Sequence, residues 1–396
     1  MKKINSILIS ILIVASYLAI LNPVSAATLE VGTGKQFSTI QLAIANSSAG
    51  DIIQVYTGTY NEDLIIPAGK NNLSINTNNG AIIIGIADVN ASDSPLASPN
   101  IEILSNGVKI SGFRIESPDY VPGFYSSGIL IGAKNVEIFN NQFIVNSAGT
   151  YAEVSKAIQT YNDGAMKGVD ISGLKIYNNT FSHKNNLGGW GYEAIYISPD
   201  NPTSGIYLQN NTFSGKIFRA ITSERSNTII TNNTIITDLS PASSDWRTPG
   251  ACQGINVRNY TNSLQSDITI SNNIIKGSSS GKGFDQGFGI GQTGQTFANI
   301  NITGNKISYN SKGFLVMIAN GVKINNNEIL NNAIEIQNGD SYTLDAQFNW
   351  WGSNAGPMRS KIIGNVRYFP WIKYSEIPIS SISKILKKNQ DKKNNN

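Results

Sequence analysis

Cysteine and histidine are almost absent from this chain of 396 residues, which has one of each, Cys252 and His183. A lone cysteine cannot form an intrachain disulfide, so packing and hydrogen bonds must stabilise the fold without crosslinks. A lone histidine argues strongly against a metal site built from histidine ligands. We therefore expect Cys252 to be packed or half-buried rather than reactive, and His183 to be a solvated residue of a long loop.

Charged residues are also scarce. They make up 14% of the chain, the formal net charge is +4, and no basic stripe accompanies it. Proteins that bind nucleic acids neutralise phosphates with clustered lysine and arginine side chains. The composition therefore predicts that nucleic acid is not a partner.

Residues 1–26 have the features of a secretory signal peptide. Lys2 and Lys3 precede an apolar run from Ile4 to Leu21, and the small residues around Ala26 offer a cleavage site. The alternative is an uncleaved N-terminal anchor, because the run approaches membrane-spanning length. Both interpretations predict a secreted or cell-surface protein, and cleavage would leave it without a transmembrane segment.

The chain is rich in one repeated pattern, apolar-x-apolar-x-x-Asn-x-apolar, which is clearest in Gly205–Phe213. Its second asparagine, called the marker here, recurs at Asn141, Asn179, Asn211, Asn233, Asn273, Asn305, Asn327 and Asn349. Phe113 occupies the marker position of an earlier copy. Successive markers, counted from Phe113, are 28, 38, 32, 22, 40, 32, 22 and 22 residues apart. The recurring minimum describes a fixed unit that tolerates insertions, and a repeat of about 20–50 residues indicates a solenoid or a propeller.

Each repeat contains three short segments in which apolar residues alternate, as they do in strands with one buried face. Two of them flank the marker, which turns the chain and can bond to backbone. The third has the pattern small-Ile-x-apolar and begins at Gly128-Ile129, Ala157-Ile158, Ala194-Ile195, Ala220-Ile221, Gly254-Ile255, Gly289-Ile290, Gly313-Phe314 and Ala333-Ile334. This pattern predicts an all-β chain, a single right-handed parallel β-helix of about 10–12 coils in which the markers stack as an internal ladder.

The pattern resembles that of the pectin-lyase-like β-helix superfamily, and most closely the secreted β-helix repeat proteins of archaeal and bacterial cell surfaces. The resemblance covers residues 28–374. It implies the fold, and it implies a substrate cleft on the outer side of the third strand, where pectin-lyase-like enzymes have theirs. It does not imply an activity, because the signature motifs of polygalacturonases, alginate epimerases and pectin methylesterases are missing from the sequence.

The two ends of a solenoid need to be covered. Ser38 and Gln41 have capping-box spacing, which predicts a short amphipathic helix over the first coil, within an N-terminal cap of residues 27–60. The β-helix domain is expected to span residues 27–374 and to end in a closing coil, 344–374, in which Trp351 points inwards. Residues 375–396 are polar and basic, which predicts a disordered tail.

Long insertions adjoin the third strand on both sides, so their loops would wall a groove whose floor is the outer side of that strand. Alternation gives each strand two outward floor positions. The first holds Gln159, Tyr196, Thr222, Asn256 and Gly291, and the second holds Tyr161, Ser198, Glu224, Arg258 and Thr293. Because neighbouring coils are about 4.8 Å apart, we expect Tyr196, Glu224, Asn256 and Arg258 to share one sugar-sized patch. The alternative is that these polar residues merely face solvent.

Two functions are compatible with such a groove. The first is a surface protein, an adhesin or envelope component, that binds polysaccharide through Gln159, Tyr161, Tyr196, Arg219, Thr222, Asn256, Trp190 and Trp246. The second is a polysaccharide lyase or glycoside hydrolase acting on an acidic polysaccharide, with Glu224, Asp200 and Arg258 as candidate catalytic residues. Binding needs no cofactor, whereas a lyase would add Ca²⁺. In both cases the partner is a polysaccharide or glycan, and association with the cell envelope is compatible with both.

Overall fold

The computed structural model describes residues 26–78, 80–86, 97–117, 125–145, 156–161, 169–183, 192–198, 205–237, 252–258, 264–278, 283–292 and 294–373. The predicted signal peptide, apart from Ala26, and the predicted tail lie outside these residues. From Ile52 to Asn338 the chain winds repeatedly through three sheets, called A, B and C here, in that order.

The strands of each sheet come from successive coils, and the strands counted here are those that the described residues form. Sheet A has thirteen strands: Thr28–Val31, Ile52–Val55, Ser74–Asn76, Lys109–Ser111, Glu137–Phe139, Lys175–Tyr177, Ile206–Gln209, Thr228–Thr231, Leu264–Ser271, Thr296–Thr303, Val322–Asn325, Leu344–Asp345 and Val366–Arg367. Sheet B has ten: Thr59–Asn61, Ile82–Ile84, Arg114–Glu116, Gln142–Val145, Thr180–His183, Thr212–Gly215, Thr234–Thr237, Ile274–Lys276, Lys306–Ser308 and Glu328–Leu330. Sheet C has eleven: Leu64–Ile66, Ala97–Ile103, Tyr125–Ile131, Lys156–Thr160, Tyr192–Ile197, Ile217–Ser223, Gln253–Val257, Gln286–Ile290, Lys312–Val316, Ile334–Asn338 and Ile362–Ile363.

Each strand pairs in parallel with the equivalent strands of the coils before and after it. Leu208, for example, is in register with Ile176 on one side and Ile230 on the other. A crossover between parallel strands of one sheet is right-handed in nearly all proteins, and here the crossover is one whole coil. The predicted right-handed parallel β-helix is confirmed.

Apolar residues that alternate along the strands fill the interior of the coils. Ile206 and Leu208 are fully buried on sheet A. On sheet B the rings of Phe143, Phe181 and Phe213 stack in parallel, with centroids 4.9 and 4.7 Å apart. Burial of one such side chain contributes about 1.5–3 kcal/mol. The repeat therefore stabilises the fold by stacking similar apolar side chains on one another in successive coils.

In the turn between sheets A and B the two paired asparagines have different roles: the first turns the chain, and the second forms the buried hydrogen bonds. The first asparagine is in the left-handed region, with φ between 55° and 60°, at Asn140, Asn178, Asn210, Asn232, Asn272 and Asn326. The second is buried and hydrogen-bonded: Asn233 Oδ1 accepts from the backbone N–H and Nδ2 of Asn211, at 3.0 and 3.1 Å. The same bonds begin at the N–H of Phe113 and link Asn141, Asn179, Asn211, Asn233, Asn273, Asn305, Asn327 and Asn349. The sequence pattern alone assigns both tasks to the marker, and the structure separates them.

A short helix, Ile40–Asn46, covers the first coil, but the predicted capping box is wrong. The N-cap is Thr39, whose Oγ1 accepts from the N–H of Leu42 at 3.2 Å. The Glu62 carboxylate, which is distant in sequence, accepts from the first two helical N–H groups at 2.9 and 3.0 Å. No helix in the described residues is long and apolar enough to cross a membrane.

The side chain of Gln41 closes the free edge of sheet C. Its Nε2 donates to the carbonyl of Ile65 at 3.2 Å, and its Oε1 accepts from the N–H of Ile65 at 2.9 Å. We expect Gln41→Ala to lower the free energy of unfolding by about 1–2 kcal/mol, because two edge hydrogen bonds are lost. Urea denaturation measures this. Gln54→Ala, which removes a half-buried amide of sheet A, is the matched control, and an equal loss in both variants would contradict the proposed edge role.

The closing coil places Trp351 in the main core, where 7% of its surface stays exposed. The neighbouring Trp350 forms a backbone bridge to Glu328, the first residue of the last strand of sheet B. This agrees with an inward Trp351, as its position two residues after a marker predicts.

Candidate functional site

Long connections adjoin sheet C on both of its sides. Strands of sheet B end at Glu116, Val145, His183, Thr237 and Lys276, and the following strands of sheet C begin at Tyr125, Lys156, Tyr192, Gln253 and Gln286. The long connections that follow sheet C run from Thr160 to Lys175, from Ile197 to Ile206 and from Val257 to Leu264. Much of this inserted chain lies outside the described residues. The long insertions therefore begin and end beside sheet C, on both sides of its outer surface.

The strands of sheet C depart from strict alternation at their small residue. Ala220 and the next residue, Ile221, both pack in the main core. The residues on either side of this pair, Arg219 and Thr222, point outwards. Space inside the coil explains why the inward residue is small: a Cβ on Gly254, the equivalent residue one coil later, would lie 2.7 Å from Ile275 Cγ2.

The outward residues form rows across successive strands. One row holds Lys156, Glu193, Arg219, Gln253 and Gln286, and the next holds Gln159, Tyr196, Thr222, Asn256 and Gly289. The prediction that Gly291 lies beside Asn256 in the floor is wrong, because the register pairs Asn256 with Gly289. Gly291 instead follows Arg258 in a third row, and Thr293, predicted there, lies outside the described residues. We call the following residues the polar face: Lys156, Gln159, Glu193, Tyr196, Arg219, Thr222, Glu224, Gln253, Asn256, Arg258 and Gln286.

Charged groups of opposite sign alternate along the first row. The Glu193 carboxylate accepts a 2.7 Å hydrogen bond from Thr222 Oγ1 and lies 3.8 Å from a terminal guanidinium nitrogen of Arg219. The Lys156 ammonium lies 5.7 Å from the centroid of the Tyr196 ring, within cation–π range. The polar face is thus held together by contacts between rows and between coils.

Glu224 is the most perturbed carboxyl of the polar face. Its Oε1 accepts from Arg258 Nε at 3.1 Å and from the Tyr196 hydroxyl at 3.4 Å. Burial, with a smaller contribution from the nearby Glu193, raises the pKa of Glu224 to about 7 against the opposing effects of Arg258 and Arg219. A carboxyl with a pKa near neutrality can hold or release a proton at physiological pH, as a general acid or base does.

Five side chains of the polar face each keep one buried atom without a hydrogen-bond partner in the part of the chain that the structure describes. These atoms are Gln159 Oε1, Arg219 Nε, Glu224 Oε2, Gln253 Oε1 and Asn256 Nδ2. All five residues are less than one-tenth exposed. A buried unpaired polar group costs about 1–3 kcal/mol, and native proteins pair nearly all of theirs. These five atoms are hydrogen-bonding groups that the described residues leave unsatisfied.

The expected floor residue Tyr161 does not belong to this face. It is fully buried, packs with Leu130 and Leu104 outside the main core, and donates from its hydroxyl to the Glu102 carboxylate. Ser198, its neighbour in the next coil, is also buried and bonds to Thr160 at 3.0 Å. The third row of the polar face therefore begins at Glu224 rather than at Tyr161.

Glu193 is the functional candidate that sequence reasoning missed. Strict alternation places the residue before the small one inside the coil, so this position was not assigned to the floor. The types found there, Lys156, Glu193, Arg219, Gln253 and Gln286, are almost never buried in a core without partners. This run of polar types at one repeat position was the available signal. By contrast, the predicted residues Asp200, Trp190 and Trp246 lie outside the described residues.

The lone cysteine and histidine lie at or next to the ends of strands of sheets C and B, respectively, in the described part of the chain. Cys252 is buried at the start of a sheet C strand, and burial and Asp285 raise the pKa of its thiol to about 11, against the effects of Arg219 and Lys216. His183 is half-buried at the end of a sheet B strand, where its ring lies 6.2 Å from that of Tyr192. His183 is therefore not the loop residue that was expected.

Metal ligands are not grouped in the described residues. No cluster of three histidine, cysteine, aspartate or glutamate side chains occurs among them. Two carboxylates, Glu193 and Glu224, share the polar face with two arginines, whose positive charge opposes cation binding. The expectation of Ca²⁺ remains tied to the lyase alternative.

Comparisons with known proteins concern the fold. No protein-family model and no curated protein matches the sequence. Among solved structures, an alginate lyase from Paenibacillus is similar at a TM-score of 0.47 and 15% identity, covering 86% of this chain and 99% of that one. A surface adhesin of Streptococcus pneumoniae has a TM-score of 0.44, 15% identity and coverage of 76% and 88%. An exopolygalacturonase from Thermotoga maritima has a TM-score of 0.42, 10% identity and coverage of 73% and 80%.

The three parallel sheets decide the architecture. The chain has the fold of a right-handed parallel β-helix. The fold alone does not select an activity, because function depends on the site it carries.

Proposed function

We propose that this protein is secreted or held at the cell surface and binds a polysaccharide chain along the polar face of sheet C. The observation that carries the proposal is the set of five buried, unpartnered polar atoms on that face. Three of these atoms accept hydrogen bonds and two donate them. Sugar hydroxyls both donate and accept, so a saccharide can satisfy the whole set.

The arrangement of the face favours an extended ligand. Its first row crosses five adjacent strands, from Lys156 to Gln286. At about 4.8 Å per strand this row is about 19 Å long. A linear polysaccharide can contact such a row at regular intervals, whereas a compact metabolite would leave part of it unsatisfied. The side chains of Arg219 and Arg258 add positive charge that suits a chain with carboxylate groups.

Binding is tested by titrating the protein with polygalacturonate, alginate, xylan and mannan in affinity electrophoresis and calorimetry. We expect Arg219→Met and Asn256→Ala to weaken binding at least about tenfold, or about 1.4 kcal/mol. Gln337→Ala is the matched control, because Gln337 is half-buried in the row of Asn256 but two coils beyond the polar face. Wild-type binding that neither variant changes, or no binding to any of the four polymers, would refute the proposal.

Cleavage of the bound chain is a second candidate function, and the environment of Glu224 specifically favours it. With a pKa of about 7, Glu224 is suited to proton transfer, and Arg258 lies 3.1 Å away to stabilise developing negative charge. Turnover is measured as new reducing ends and as ultraviolet absorbance of unsaturated uronates. If the protein is an enzyme, Glu224→Gln abolishes turnover but keeps binding. If the wild type binds without turnover, the binding function stands alone.

A further inference from the structure

A concave surface lies on a different sheet from the polar face. It is a trough of about 540 Å³, within the usual range for small-molecule sites of about 300–1,000 Å³. Three successive coils line it on the outer side of sheet A: Asn299 and Asn301 in the first, residues 319–323 in the second, and Tyr342, Thr343 and Asp345 in the third. The trough lies near the C-terminal end of the solenoid, in coils with short connections.

The register of sheet A fixes which side chains form the floor. Asn301 pairs with Lys323, and Lys323 pairs with Asp345. The residues that flank Lys323, Val322 and Ile324, are buried in the core. These three polar side chains therefore project outwards on adjacent strands, about 4.8 Å apart.

The wall that carries Tyr342 is held by hydrogen bonds rather than left mobile. Asp340 accepts from the N–H of Ala319 at 2.7 Å, which ties the third coil to the second. The carbonyl of Tyr342 accepts from Asn338 Nδ2 at 2.8 Å. Burial raises the pKa of Asp340, but the backbone donors, Ala319 first, lower it more, so this anchor is ionised at neutral pH. The trough is thus formed before any ligand arrives.

The groups that the trough presents are those that recognise a sugar. Tyr342 lines the trough and is 60% exposed, which leaves an aromatic side chain accessible to a ligand. Within the described residues, the Lys323 ammonium has no ion-pair partner, and the Asn320 amide makes no hydrogen bond. The positive Lys323 and negative Asp345 are neighbours in the floor, and Arg367 pairs with Asp345 at 3.3 Å. Charge of both signs with amides and one aromatic ring suits hydroxyl groups better than a polyanion.

We propose that this trough is a second carbohydrate site, which binds one or two neutral pyranose units stacked on Tyr342. The proposal does not rest on the function assigned to the polar face, because it uses another sheet and other residues. It gives the protein two separate contacts with glycan. Two linked contacts on one polymer raise overall avidity without strengthening either contact.

The site is tested with neutral hexasaccharides, namely cellohexaose, mannohexaose, xylohexaose, maltohexaose and chitohexaose, by saturation-transfer NMR and calorimetry on the full chain. We expect at least one of them to bind with a Kd of about 1 mM or tighter. Tyr342→Ala should weaken that binding at least about tenfold, and Lys323→Ala should weaken it less.

Two control variants show whether a bound hexasaccharide occupies the trough or another part of the protein. Tyr207→Ala removes a tyrosine from the row of sheet A that also holds Asn301, Lys323 and Asp345. Tyr207 lies several coils before the trough, so this variant should leave binding unchanged. Asn256→Ala weakens binding at the polar face but should leave binding at the trough unchanged. The proposal is overturned if no hexasaccharide binds at about 10 mM, if both trough variants bind like the wild type, or if Asn256→Ala alone removes binding.

Discussion

Replacing Asn233 by alanine is expected to lower the free energy of unfolding by about 3–6 kcal/mol, the largest single effect predicted for this chain. Its Oδ1 is the acceptor for the buried N–H of Asn211 at 3.0 Å, and its Nδ2 donates to the carbonyls of Leu208 and Thr231 at 2.9 and 3.1 Å. Nδ2 also donates to Asn273 Oδ1 at 2.9 Å. Alanine leaves the N–H of Asn211 buried and unpaired, which costs about 1–3 kcal/mol, and it removes the three hydrogen bonds that Nδ2 donates, each worth about 0.5–1.5 kcal/mol.

The adjacent Asn232 provides the matched control for Asn233. It is exposed and left-handed, with φ of 57°, and it makes none of the marker contacts. Asn232→Ala should cost only the left-handed backbone penalty of about 1–2 kcal/mol. Guanidinium denaturation followed by circular dichroism measures both variants. Similar losses for Asn232→Ala and Asn233→Ala would show that the buried hydrogen bonds do not stabilise the solenoid as described.

The solenoid could be predicted from the sequence because its repeat is enforced locally. Stacking like on like requires an apolar residue at the same step of each coil, as Phe143, Phe181 and Phe213 show. The marker asparagine must also recur, since each one is bonded to the next. Both constraints appear in the chain as a spacing, which one sequence is enough to reveal.

The N-terminal cap could not be predicted in detail, because its hydrogen bonds come from distant residues. Ser38 and Gln41 have the spacing of a capping box, but the carboxylate that binds the helix N-terminus belongs to Glu62. Gln41 is therefore available to bond to Ile65 in the edge strand. Spacing within the helix carries no information about these partners.

The predicted register of sheet C is wrong at one coil for a related reason. Gly289-Ile290 fits the small-Ile pattern, but Gly287-Phe288 occupies that position in the structure. The rings of Phe288 and Phe314 stack at 4.6 Å, so contact with the following coil favours this register. Gly-Phe and Gly-Ile are both acceptable to the pattern, and only the neighbouring coil distinguishes them.

The candidate site was predicted in position but not in its degree of burial. Alternation brought Tyr196, Glu224 and Arg258 together, and the structure has them in contact. The expectation of an open floor was not met at Gln159 and Asn256, which are 1% and 3% exposed. Burial of a polar residue on an outward position depends on contacts beyond its own strand, and alternation within the strand does not contain that information.

Glu224 is expected to make the protein less stable as the pH rises from about 4.5 to about 7. The ordinary pKa of a glutamate carboxyl, 4.5, applies in the unfolded chain, and burial is the largest cause that raises it to about 7 in the folded chain. Below pH 4.5 the group is protonated in both states, so the folded chain loses nothing. Above pH 7 it is ionised in both, and the full cost of a buried charge applies. A shift of this size corresponds to at most about 3 kcal/mol.

Glu224→Gln isolates this effect, because glutamine resembles the protonated carboxyl and does not titrate. The unfolding free energy of the variant, measured by urea denaturation and taken relative to the wild type, should rise by up to about 3 kcal/mol between pH 4.5 and pH 8. Arg258→Met sharpens the test: without the cation that opposes the shift, the pKa of Glu224 rises further, and in this variant the decline of stability extends to higher pH than in the wild type. If Glu224→Gln and the wild type change in parallel across this range, Glu224 is not a buried, neutral-pH carboxyl. The proton-transfer role suggested for it would then lose its physical basis, while binding through the rest of the polar face would not.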